Sequence, residues 1–67
     1  MSTDVMLIRD GLGYRVVFGH LRLAAELGLV DQVRVDVKDS GTATIFKTQF
    51  GLVVEKDNHR LPLLVVR

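Results

Sequence analysis

The chain has 67 residues, a net charge of +1 and no cysteine. That length allows one domain, residues 1–67, and the composition excludes disulfide staples and thiolate metal sites; two histidines are too few for a structural zinc site. Yet 48% of the residues are hydrophobic and the mean hydropathy is +0.26, a large apolar load for a chain whose size buries only about 60% of its unfolded surface. A second copy is the economical way to bury the remainder, so a homodimer is expected. The near-neutral charge is low for a nucleic-acid module. No apolar run approaches the roughly 18 residues of a membrane-spanning helix, and MSTDVMLIRD lacks the basic-then-apolar layout of a signal peptide. A cytoplasmic protein with no membrane partner is expected.

Val5–Arg9 reads as a short strand, Asp10–Gly13 as a turn with glycines for positive φ, and Tyr14–Phe18 as a second strand. In that strand Tyr14, Val16 and Phe18 share one face. His20–Leu27 is rich in helix formers, with Gly28 placed as a left-handed C-cap. Leu23, Ala24 and Leu27 fall on one helical face, and Arg22 and Glu26 are spaced i,i+4 on the solvent side. So short a helix needs a sheet to pack on.

Gln32–Lys38 alternates without a break: Val33, Val35 and Val37 inward, Gln32, Arg34, Asp36 and Lys38 outward. A three-residue loop at Asp39–Gly41 would set Val35 opposite Ile45 and Val37 opposite Ala43, keeping apolar against apolar. The next strand runs from Thr42 to about Thr48. Gln49–Gly51 reads as a bend, a bulge or a turn; if it is only a bulge, 42–56 is one long bent strand, and otherwise two.

Phe50–Arg67 is the densest apolar stretch and reads as a hairpin turning at Asp57-Asn58, two residues that tolerate φ > 0. That turn sets Lys56 opposite His59, Glu55 opposite Arg60, Val54 opposite Leu61, Val53 opposite Pro62, Leu52 opposite Leu63 and Phe50 opposite Val65. Pro62 lacks an N–H, which argues for an edge strand. Its outer neighbours contradict that: Val53, Pro62, Leu64 and Val66 form an apolar face where an exposed edge carries charge. These four are the expected oligomer interface.

The sum is α+β in the order ββαββββ: a small curved antiparallel sheet of five to six short strands with one short helix, or a partly closed barrel.

Candidate chemistry is thin. Leu23–Leu29 resembles the first helix and turn of helix-turn-helix repressors, with Ala24 and Gly28 at the small-residue and turn positions. That resemblance implies a recognition helix next, and Gln32–Lys38 carries a strand pattern instead, with Arg34 where a buried apolar residue belongs. Gly11-Leu12-Gly13 lacks the third glycine and the following helix of a dinucleotide fingerprint. His20 and His59 are the candidates for a neutral-pH base, but with two serines, no cysteine and no local cluster of histidine with carboxylates, nucleophilic catalysis has no recognisable cast. No catalytic residue, metal ligand or cofactor site is therefore expected. Arg15, Arg22, Arg34, Lys38 and Lys47 form the candidate nucleic-acid contact, although acids interrupt them and stacking aromatics are few. The sequence thus predicts a small non-enzymatic interaction module, a homodimer acting as inhibitor or regulator of another protein. A nucleic-acid-binding regulator is the alternative.

Overall fold

A computed structural model describes residues 5–64. They form β1 (Met6–Asp10), β2 (Gly13–Phe18), α1 (His20–Leu27), β3 (Gln32–Val37), β4 (Gly41–Thr48), β5 (Gly51–Lys56) and β6 (His59–Leu64). The fold is α+β in the expected order, and Gln49-Phe50 is a turn that makes β4 and β5 separate strands. The sheet closes completely, in the spatial order β1-β2-β6-β5-β4-β3. Four pairings are antiparallel; β1–β3 and β2–β6 are parallel, so the barrel is mixed.

Closure follows from the inward-facing residues. Leu7, Tyr14, Val16, Val33, Val35, Val37, Ala43, Ile45, Val54 and Leu63 are buried together, with Leu7, Ile45 and Val54 fully enclosed. Each of the valines, leucines and the isoleucine contributes about 1.5–3 kcal/mol by leaving water. Leu23 and Leu27 of α1 join the same core, and the helix packs on β3, over the face carrying Val33 and Val35 as expected. Arg22 Nε donates to Glu26 Oε2 at 2.8 Å, the anticipated i,i+4 pair.

The β5–β6 hairpin takes the expected register from Lys56↔His59 to Val53↔Pro62. Asp57 and Asn58 adopt φ 53° and 67°, the two positive values a type I′ turn requires. Arg60 Nε lies 3.9 Å from Glu55 Oε2, a half-exposed pair at the weak end of cross-strand interactions.

Five expectations need correction. First, β6 is no edge: β5 flanks it on one side and β2 on the other, through Tyr14↔Leu63 and Arg15↔Leu64. The parallel pairing begins just beyond Pro62, so its missing N–H is not called upon there. Second, the β3–β4 register is Val33↔Ile45, Val35↔Ala43 and Val37↔Gly41, two residues from the expected one. The turn is Lys38–Ser40, held by Ser40 N–H donating to the Val37 carbonyl at 3.0 Å, and Asp39 joins Gly41 in adopting positive φ. A shift of two keeps every side chain on its expected face. Third, Gly28 is right-handed (φ −75°, ψ −15°); the left-handed glycine is Gly19, at the helix N-cap (φ 88°, ψ 28°). Fourth, the pairing steps from Leu7↔Val16 to Met6↔Phe18, leaving Val17 as the extra residue. This bulge turns Phe18 outward, off the face of Tyr14 and Val16. Fifth, Phe50 sits in the β4–β5 turn rather than on a strand; Val65, its expected partner, lies outside the described residues.

Candidate interaction surface

The topology divides the barrel into two unlike ends. At one lie the start of β1, the end of β2, α1, the start of β3, the β4–β5 turn and the end of β6. At the other lie the turns Gly11-Leu12, Lys38–Ser40 and Asp57-Asn58.

Among the described residues, the helix-bearing end carries nearly all the exposed large apolar side chains: Val17, Phe18, Leu21, Leu29, Val30, Phe50 and Leu64 are there, and Leu12 stands at the far end. Three are almost wholly in solvent: Phe50 at 90%, Leu21 at 86% and Leu29 at 85%. The Phe50 backbone is held although its side chain is exposed. Thr48 Oγ1 accepts from the Phe50 N–H at 3.1 Å and donates to the Gly51 carbonyl at 2.7 Å, and Gly51 absorbs the backbone turn at φ 120°.

Between the helix and the barrel wall an apolar cleft of about 260 Å³ opens, walled by Val16, Leu23, Leu27, Leu52 and Leu63 with Leu64 at its lip. The helix leans on β3 and so leaves the β5–β6 side of the core uncovered. His20 and Arg15 also line the cleft, but Arg15 Nε is engaged by Asp10 Oδ2 at 2.8 Å.

The expected interface residues lie on the outer wall. Val53 opposes Pro62 on one side and Phe46 on the other, so Phe46, Val53 and Pro62 form an apolar row across β4, β5 and β6. The Arg60 guanidinium covers one end of the row, 5.2 Å from the Phe46 ring centroid. Leu64 is 38% exposed and links this row to the helix-bearing end. Val66 lies outside the described residues. Phe46 is the member that sequence reasoning missed. Its outward parity on β4 was available as a signal, although the pairing with Val53 depends on the turn at Gln49-Phe50.

The five basic residues are dispersed. Arg22 and Arg34 line one shallow depression, but Glu26 and Asp36 line it with them. Arg15 is paired with Asp10 on β1. Lys47 donates its ammonium to the Leu27 carbonyl at the helix C-terminus, where a cation complements the helix dipole. Lys38 stands alone of the five at the far end. His20 and His59 are at opposite ends of the barrel, and among the described residues neither imidazole is paired with a carboxylate.

Among the described residues no cluster of metal-ligating side chains occurs, and no helix is long and apolar enough to cross a membrane. Set against known proteins, the chain matches no family model, no curated protein and no solved structure. The site has to be read from its own geometry.

Proposed function

We propose that the protein is a small non-enzymatic interaction module, a homodimer that inhibits or regulates another protein by binding it. The observation that carries this reading is the concentration of exposed leucine, valine and phenylalanine at the helix-bearing end, beside an open apolar cleft. Exposed apolar side chains gathered at one end of a small domain are characteristic of contact sites. Because the barrel is closed, association proceeds through side chains and not through strand addition. The outer row of Phe46, Val53 and Pro62, continued by Leu64, is the dimer face in this reading. The rest of the helix-bearing end, without Leu64, is left for the partner protein.

The nucleic-acid alternative draws less support, since three of its five cations already have partners in the fold. Sedimentation equilibrium at micromolar concentration tests the dimer. A monomer with a high melting temperature would defeat it. A capture experiment at physiological salt, with and without nuclease, separates the two partner classes: retention that vanishes with nuclease would overturn the protein-binding reading.

A further inference from the structure

The far end of the barrel carries a second site, unrelated to the apolar one. Alternation along the strands fixes which side chains point inward: 7 and 9 on β1; 14 and 16 on β2; 52, 54 and 56 on β5; 59, 61 and 63 on β6. Deep in the barrel these positions are apolar. At the mouth they become Arg9, Tyr14, Lys56 and His59. Together with Ser40 they line a bowl of about 300 Å³ floored by Val37 and Leu61. Among the described residues, Asp57 is the only acid lining it.

The cations in the bowl are poorly compensated. The Lys56 side chain is only 17% exposed, and its Nζ has one recorded partner, Asp57 Oδ2 at 3.1 Å, on a side chain 81% exposed. An ammonium drawn from water and answered by one solvated carboxylate favours a further anion. The Arg9 guanidinium lies over the Tyr14 ring, 5.7 Å from its centroid, and only its Nε is engaged, in a long 3.4 Å bond to the Gly11 carbonyl. Its terminal nitrogens remain free to donate within the described structure.

We propose that this bowl binds a phosphate group, presented as the inorganic ion or on a small ester. Its donors come from β1, β2, the β3–β4 turn, β5 and β6, and so surround the cavity. A tetrahedral dianion with several acceptor oxygens meets such a ring better than a planar carboxylate. The rim favours a compact ligand: Asp39 and Asp57 stand in two of the three turns at this end and Asp10 just before the third, and an extended polyanion would run against them. This site is independent of the apolar surface, so each proposal stands or falls alone.

The test is an amide NMR titration of the full chain in phosphate-free buffer with inorganic phosphate, pyrophosphate, adenosine monophosphate, acetate and a short single-stranded DNA. Saturable shifts at residues 9, 14, 40 and 56–59 are expected with the phosphate compounds. Tighter binding of the monophosphate than of phosphate assigns the ester as the source, and the reverse assigns the ion. Arg9→Gln and Lys56→Gln should each weaken binding about tenfold, the loss of one charge-assisted contact, while Arg34→Gln on the outer wall leaves it unchanged. Arg9 is exposed, so its variant keeps the test available if Lys56→Gln fails to fold. Absence of saturation in the millimolar range, equal affinity for acetate, tighter binding of the DNA, or equal weakening by Arg34→Gln overturns the proposal.

Discussion

A Cβ placed on Gly13 would lie 2.5 Å from the carbonyl oxygen of Pro62 and 3.1 Å from Leu64 Cγ. Gly13 is therefore glycine because β2 and β6 meet there, at one of the two parallel seams, and not because of its own backbone angles. Gly11, by contrast, has φ 63° and open space around the position of a Cβ. Gly13→Ala should cost about 1–3 kcal/mol, the range for overpacking a close contact. Gly11→Ala should cost about 1–2 kcal/mol, from left-handed backbone strain alone. Urea unfolding measures both losses, and amide NMR distinguishes them: only Gly13→Ala should perturb the amides of Pro62's neighbours, Leu61 and Leu63.

Ile45 sits at the centre of the barrel with no exposed surface. Ile45→Ala removes its transfer energy and leaves a cavity, a loss of about 2–5 kcal/mol. For a chain this short that is a large share of the total stability. Chemical denaturation should show a lowered midpoint with an unchanged slope.

Phe50 and Leu64 separate association from folding. Phe50→Ser touches a side chain in solvent and should change stability by no more than about 0.5 kcal/mol, while weakening capture of the partner protein. Leu64→Asp should yield a folded monomer by sedimentation, and an unchanged dimer would remove the outer row from the interface. An unfolded product would instead mark Leu64 as part of the core.

Asn58 adopts φ 67° as the second central residue of its turn, where glycine carries no steric penalty. Asn58→Gly should leave the hairpin register intact and stabilise it by up to about 1 kcal/mol. Thermal melting measures the effect, and a decrease in melting temperature would contradict the turn geometry.

Local pattern made much of this fold legible. The unbroken alternation of Val33, Val35 and Val37 specified a face, and Asp57-Asn58 specified a turn and its register. Parity survived even where register did not, since β3–β4 slipped by two and kept Val35 inward. What escaped was non-local. Nothing near Leu7 or Tyr14 announces that they pair in parallel with Val37 and Leu63. Nor does the alternation of YRVVF reveal that Val17 is extra, because a bulge answers to the partner strand. The basic bowl was hidden for the same reason. Arg9 and Tyr14 pair within one hairpin and Lys56 and His59 within another, and only the β2–β6 seam brings the two pairs together. The available signal was Lys56, which continues the inward parity of Leu52 and Val54 into a charge.

The two parallel seams also carry a kinetic consequence. β3 to β6 form a meander of short hairpins whose loops close quickly, whereas Tyr14↔Leu63 joins segments far apart along the chain. Loop-closure entropy delays such contacts until local structure is in place. The β2–β6 seam should thus assemble after the rate-limiting step, with Gly13 sliding beneath the Pro62 carbonyl last. Stopped-flow measurements would then find that Gly13→Ala accelerates unfolding and leaves the refolding rate nearly unchanged. The barrel's lifetime, more than its speed of formation, would rest on the one contact where a side chain has no room.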